Sequence, residues 1–182
     1  NVDQTRRAGI ESSLQGQWQA FSWLMAYSFI EATFEDSFQA LSPNHAFADD
    51  EGEIRVRSGD RIPGIPQHQF KLSSDYQFTS GLSLGLDILS NGNQVLRGDE
   101  SNQLDEVSGY TMVSMRARYS VNEKLEVFAK IDNLFDREYE SFGLLGEEPA
   151  ELEVPIIEDL TNPVFLGAGA PRAAFLGLRY NF

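Results

Sequence analysis

At 182 residues the chain is long enough for about one domain, on a prior of roughly 100 to 200 residues each. Its 28 acidic residues against 14 Lys and Arg give a formal net charge of −14, which argues against nucleic acid, whose phosphates demand a basic face. Cysteine is absent, leaving neither a disulfide framework nor a thiolate metal site, and no apolar run approaches the roughly 18 residues of a spanning helix.

The chain begins at Asn1 with no initiator Met, charged n-region or apolar h-region, so it is expected to be a mature form or a piece of something longer. A weak strand over about residues 2 to 14 comes first, followed by a tight link at Gln15, Gly16 and Gln17. In the second strand Phe21, Trp23, Met25, Tyr27 and Phe29 form an aromatic row. Its opposite row, Ala20 to Ile30, is small and mixed, which leaves the facing open. Trp18 and Trp23 read equally as interfacial anchors or as core.

A long link of about residues 35 to 66 leads to the third strand. There Phe70, Leu72, Ser74, Tyr76 and Phe78 alternate with Gln69, Lys71, Ser73, Asp75 and Gln77, the two-residue period of a half-buried sheet. A tight link at Thr79, Ser80 and Gly81 precedes a fourth strand with Leu82, Leu84, Leu86 and Ile88 on one face. After residues 90 to 108, a fifth strand opposes Thr111, Val113, Met115, Ala117 and Tyr119 to Ser114, Arg116, Arg118 and Ser120.

Asn122 to Lys124 is a tight link, and the sixth strand sets Leu125, Val127, Ala129 and Ile131 against Glu126, Lys130 and Asp132, with Phe128 out of place on the polar side. The longest link, about residues 135 to 172, ends at a seventh strand. Leu176, Leu178, Tyr180 and Phe182 share one face there, and Gly177, Arg179 and Asn181 share the other.

Short and long links therefore alternate strictly, which puts every long loop at one end of an up-and-down antiparallel sheet. Outer-membrane barrels have this asymmetry, with short periplasmic turns, long external loops and strands of roughly 10 residues that face lipid and lumen in alternation. A soluble β-sandwich also alternates, but its loops have no reason to sort by length from end to end. The fold expected is all-β, an antiparallel transmembrane β-barrel segment of about seven strands. Phe182 would then lie at the periplasmic interface, among the aromatic girdle.

At "KIDNLFDREYESFG" and "GAGAPRAAFLGLRYNF" the chain resembles the C-terminal end of TonB-dependent outer-membrane receptors, energised importers of siderophores, cobalamin and similar ligands. The likeness extends over its whole length. It rests on Asn133, Leu134, Phe135, Asp136 and Tyr139, which close the penultimate strand, and on Gly169, Pro171 and Arg172, which lead into the last. "GDRIPGIPQHQ" (59 to 69) is similar to the family's loop-to-strand re-entry, with Pro63 and Pro66 keeping the chain extended and unpaired until the ladder begins.

The resemblance implies a bacterial outer-membrane location, and a terminal strand (Leu176, Leu178, Tyr180, Phe182) that the assembly machinery reads as its insertion signal. Transporters of this kind are 22-stranded with a plugged lumen, so residues 1 to 182 would be the C-terminal part of the barrel, with the plug domain and the TonB-contacting segment outside this chain. Implied partners are the remaining barrel and plug, TonB through that plug, the outer membrane with its lipopolysaccharide, and a ferric chelate. An open seven-stranded sheet would leave two unpaired edges in lipid, so it is expected either to pair with strands not present here or to misfold.

Acids concentrate in the long links. The last carries Asp136, Glu138, Glu140, Glu147, Glu148, Glu151, Glu153, Glu158 and Asp159, and the first carries "DDEGE" (49 to 53). That motif lacks the spaced oxygen ligands of a calcium loop, so a solvated surface is expected rather than a metal site, though bridging of divalent cations to lipopolysaccharide stays open. His45 and His68 are far apart with no clustered partner, so no metal and no cofactor are expected. Arg116, Arg118, Lys130, Asp132 and Arg179 are the lumen-facing candidates, either lining a ligand path or paired across strands.

No catalytic arrangement of Ser, His and Asp can be made out, nor a phosphate-cradling Gly loop, so an enzyme is not expected. The function expected is active uptake of a scarce chelate, with a ferric siderophore first among cargoes. A passive porin-like or structural barrel and a soluble acidic β-sandwich are the alternatives.

Overall fold

The computed structural model describes residues 4 to 146 and 162 to 182. Eleven strands are defined among them: β1 (Thr5–Trp18), β2 (Phe21–Phe34), β3 (Phe38–Leu41), β4 (Glu53–Val56), β5 (His68–Gln77), β6 (Leu82–Asn91), β7 (Tyr110–Ser120), β8 (Leu125–Asp132), β9 (Glu140–Leu145), β10 (Val164–Ala168) and β11 (Ala173–Tyr180). Seven form one antiparallel sheet in the order β1-β2-β5-β6-β7-β8-β11, a plain meander. β3-β4 and β9-β10 are two-stranded hairpins inside the first and last long connections. The chain is thus all-β and antiparallel, an open seven-stranded segment whose edges β1 and β11 have no further strand partner among the described residues.

Register shows why the alternation in sequence survives in three dimensions. Directly paired residues project to the same face, and the pairs Phe21↔Tyr76, Tyr76↔Leu84, Leu84↔Ala117, Ala117↔Ala129 and Ala129↔Leu176 run across six strands on one apolar face. The aromatic row of β2 belongs to that face, which settles the facing that periodicity left open. No second sheet of comparable size packs on either face among the described residues, so the arrangement is not a sandwich.

Two boundaries differ from expectation. β1 runs on through Gln15, Gly16 and Gln17 to Trp18, and the hairpin turns at Gln19 and Ala20 with Gln19 at φ 53°. The polar triplet is merely strand whose Gln residues take one face while Gly16, on the other, lies beneath Trp23. Residues 1 to 3 lie outside the described residues. The second difference is at Pro63 and Pro66: Thr33 already bridges Arg61, and the Ile62 N–H donates to the Ala32 carbonyl, so the ladder is touched before it is broken. It resumes where the Ile30 N–H donates to the Gln67 carbonyl.

The other two tight links form as expected. Gly81, at φ 81°, closes the β5-β6 turn, and the Asn122 side chain accepts the Lys124 and Leu125 N–H groups in the β7-β8 turn. All three long connections leave from one end of the sheet, and the C-terminus lies at the other. The buried apolar residues gather at the long-connection end: Ala32 and Phe34 at the close of β2, Ile54 and Val56 on β4, and Val95, Leu96 and Val107 between β6 and β7.

Candidate functional site

Three constellations stand out, one on the sheet and two where the connections meet it. On the polar face Asp75, Gly85 and Arg116 lie in one row across β5, β6 and β7. Arg116 reaches over Gly85 to donate to Asp75 at 2.6 and 3.3 Å, to Ser73 at 3.0 Å, and to Asp87. Glycine is what allows this span: a Cβ at residue 85 would stand 2.6 Å from Arg116 Nε and 2.7 Å from Asp75 Oδ1. Ser73 also donates to Asp87 at 2.7 Å. A planar guanidinium with its forked donors suits a bridge between two carboxylates on different strands.

Arg118, Lys130, Asp132 and Arg179 occupy the same polar face as Arg116. Lys130 pairs with Asp132 at 2.9 Å and Arg179 with Glu126 at 3.5 Å, both largely exposed, while Arg118 has no ion pair among the described residues. Phe128, out of place by periodicity, lies across Gly177 of β11, whose missing side chain makes room for the ring. That physical reason sits on another strand and is invisible in the local pattern.

At the close of β8 the residues of the "NLFD" motif form a clasp. Asn133 has φ 49° and is 1 % exposed. Its amide donates to the Arg137 carbonyl at 2.9 Å and the Ala170 carbonyl at 3.1 Å, and its Oδ1 accepts the Arg137 N–H at 2.9 Å. Asn tolerates the left-handed region better than most residues, so one side chain both turns the chain out of β8 and pins the segment that re-enters β11. Asp136, at φ 51°, accepts the Arg172 N–H at 3.0 Å. The Leu134 N–H donates to Val113, the Gly169 N–H donates to Tyr139, and the Tyr139 ring packs on Tyr110 with centroids 4.3 Å apart. Phe135 points out, 74 % exposed, and Pro171 lies one residue before Arg172.

The third constellation escaped sequence reasoning. His45 and Asp99 are 0 and 1 % exposed and 2.8 Å apart, joining the first long connection to the second. The Phe47 N–H donates to Nδ1 at 3.1 Å, so Nε2 carries the proton and donates to Asp99. Asp99 accepts three further bonds, from the Ser101 hydroxyl and from the Gln103 and Leu104 N–H groups. A buried carboxylate thereby has four donors, as burial requires.

Ser, His and Asp do come together here, so His45 has the partners that the sequence did not show, but the arrangement is not a catalytic one. Ser101 stands 3.5 Å from the same Nε2 that faces Asp99, so no free imidazole nitrogen remains to take its proton, and the set is a lock rather than an acyl-transfer triad. Ser42 donating to the Gly98 carbonyl and Asn44 to the Gly146 carbonyl extend the lock to all three connections. His68, in contrast, meets Tyr27, whose hydroxyl is 2.8 Å from Nδ1.

On β11, Leu176, Leu178 and Tyr180 line the apolar face, with Leu176 79 % exposed; Phe182 lies beyond the strand end, fully exposed, its ring edge-on to Tyr180 at 5.3 Å. Trp18 is 72 % exposed at the short-turn end. Glu147, Glu148, Glu151, Glu153, Glu158 and Asp159 lie outside the described residues. Charge is distributed as unevenly as burial. The three long connections (35 to 67, 92 to 109 and 133 to 172) hold 20 of the 28 acidic residues and 6 of the 14 basic ones, so they carry the whole net charge of −14; the rest of the chain has eight of each sign.

The chain is similar to known proteins in both sequence and fold. A family model described as "TonB dependent receptor-like, beta-barrel" matches residues 1 to 134. The metal-pseudopaline receptor CntO of Pseudomonas aeruginosa is 28 % identical over 129 residues, covering 70 % of this chain and 16 % of that protein. The siderophore receptor PiuA from Acinetobacter baumannii superposes with a TM-score of 0.72 at 16 % identity, covering 97 % of this chain and 22 % of its own. The ferric yersiniabactin uptake receptor FyuA from Yersinia pestis gives 0.69 at 18 % identity, covering 98 % and 24 %. The chain spans about a fifth of the length of the proteins it matches.

Proposed function

We propose, from the premise that this chain belongs to the TonB-dependent receptor-like β-barrel family, that it is the C-terminal wall of an outer-membrane receptor for active uptake of a scarce metal chelate. The family places it in the bacterial outer membrane as a transporter rather than an enzyme. A ferric siderophore is the cargo we favour, supported by the named ligands of PiuA and FyuA, although CntO is named for a metal-pseudopaline complex. Plug and TonB contact would lie in other parts of the parent protein. The observation that carries the reading is the seven-strand meander with every long connection at one end, which matches siderophore-receptor walls over nearly its full length.

In this reading the chain supplies wall, external loops and the terminal strand. The polar face carrying Arg116, Arg118, Lys130, Asp132 and Arg179 would look into the lumen, and the Arg116 bridge would hold three wall strands in register. Residues Leu176, Leu178, Tyr180 and Phe182 would serve the assembly machinery. The test is uptake of radiolabelled iron chelates by cells with and without the parent gene, before and after collapse of the proton gradient. Uptake that is lost in both cases supports the proposal. Uptake that needs the gene but survives without the gradient describes a passive channel and rejects it.

A further inference from the structure

A cleft of about 430 Å³ opens between the second and third long connections, within the roughly 300 to 1,000 Å³ typical of small-molecule sites. Its apolar walls are Leu96, Leu104 and Val107 on one side and Val164 and Leu166 of β10 on the other. Leu96 and Val107 form a buried floor, each 3 % exposed, whereas Leu166 on the facing side is 52 % exposed. Arg97 exchanges backbone hydrogen bonds with Gly143 and Leu145 of β9 and fastens the hairpin to the second connection, and the two walls meet over Gly143, where Leu96, Val107 and Leu166 converge.

The rim is acidic. Glu106 is neutralised by Arg61, but Asp105 and Glu140, which border the same cleft, have no ion pair among the described residues. They sit within connections that carry the chain's entire excess of negative charge. An apolar slot edged by two uncompensated carboxylates rejects anions and favours a protonated nitrogen on a greasy body, since the cation meets carboxylates while the apolar part leaves water.

We infer that the cleft between residues 96 to 108 and the β9-β10 hairpin is a binding site for small cationic amphiphiles, compounds that join an ammonium or guanidinium to an apolar group. The inference goes beyond chelate uptake and stands apart from it. Leu104 and Leu166 would hold the apolar body and Asp105 and Glu140 the charge.

The probe is dansylcadaverine, an apolar fluorophore on a five-carbon arm ending in an ammonium, followed by fluorescence anisotropy with the full parent receptor in phosphatidylcholine nanodiscs and empty nanodiscs as the blank. Saturable binding is expected, about tenfold or more tighter than that of 6-(dansylamino)hexanoate, which ends in a carboxylate. The pair Asp105→Asn with Glu140→Gln should bring the two probes to within about threefold of each other, while Asp50→Asn with Glu51→Gln, equally acidic but outside the cleft, should change nothing. Absence of saturable binding above the blank, equal binding of both probes, or a loss as large in the control pair as in the cleft pair would overturn the inference. Chelate uptake is read in a different assay, so either conclusion can fail alone.

Discussion

The strands and the long connections of this chain follow different solvents. In the strand body almost nothing is fully buried, charges balance, and large apolar side chains such as Leu14, Leu176 and Leu178 stand exposed on one face. In the connections a small core forms around Ile54, Val56, Leu96 and Val107, buried polar groups are locked by hydrogen bonds, and the surface is strongly acidic. The first region makes sense only with hydrocarbon on one face; the second is folded as any water-soluble surface is, with apolar groups inside and charge outside. One sequence therefore obeys two patterns, and the boundary between them is the membrane surface.

Substitutions can break that contrast in order of expected effect. The largest belongs to the lipid face: Leu86→Arg, mid-strand on β6, should cost about 2–4 kcal/mol for a cation near the bilayer midplane. It should lower the heat-modifiable, folded form of the parent receptor on cold electrophoresis. Arg118→Gln, on the opposite face of the neighbouring strand β7 and without an ion pair among the described residues, should leave that form nearly unchanged.

Next is the clasp. Asn133→Ala removes three hydrogen bonds from a buried turn at positive φ and should cost about 2 kcal/mol. Asn133→Gly, which keeps the backbone freedom but not the amide, should recover only part of it. Thermal unfolding in detergent measures both.

The loop lock should fail locally. His45→Ala leaves Asp99 buried with one donor fewer, a cost of about 1–2 kcal/mol felt in the connections and not in the wall. Amide exchange of residues 95 to 107 should quicken while that of β6 and β7 stays slow. The smallest effect is expected at the Arg116 bridge, which is partly exposed: Gly85→Ala and Arg116→Lys should each cost about 1 kcal/mol after allowance for solvent screening. Because both break the same bridge, the double variant should fall short of their sum.

How much of this is legible in the sequence follows from the range of each interaction. Five of the seven wall strands, β5, β6, β7, β8 and β11, are written in nearest-neighbour alternation, so Leu82 to Ile88 or Thr111 to Tyr119 can be faced without coordinates, whereas β1 is weakly patterned and β2 is apolar on both rows. The β1-β2 turn misleads, because Gln15 and Gln17 are polar for the sake of one face rather than for a loop. The lock is illegible in principle: His45 and Asp99 are 54 positions apart, and neither flanking stretch has a period that predicts the meeting. Phe128 and Gly85 each need a neighbour from another strand to explain them. For the same reason the short hairpins β3-β4 and β9-β10 pass unseen within connections that read only as long and acidic.

The central claim is that the long connections face the cell exterior while the short turns and Phe182 face the periplasm. The chain contains no cysteine, so single cysteines can be placed at Glu51 and Asp105 on one side and at Ser80 and Glu123 on the other, in a parent receptor free of other thiols. Intact cells treated with a membrane-impermeant maleimide should label the first two at once, and the last two only after the outer membrane is permeabilised. Labelling of Ser80→Cys or Glu123→Cys in intact cells, with Glu51→Cys and Asp105→Cys protected, would contradict the account.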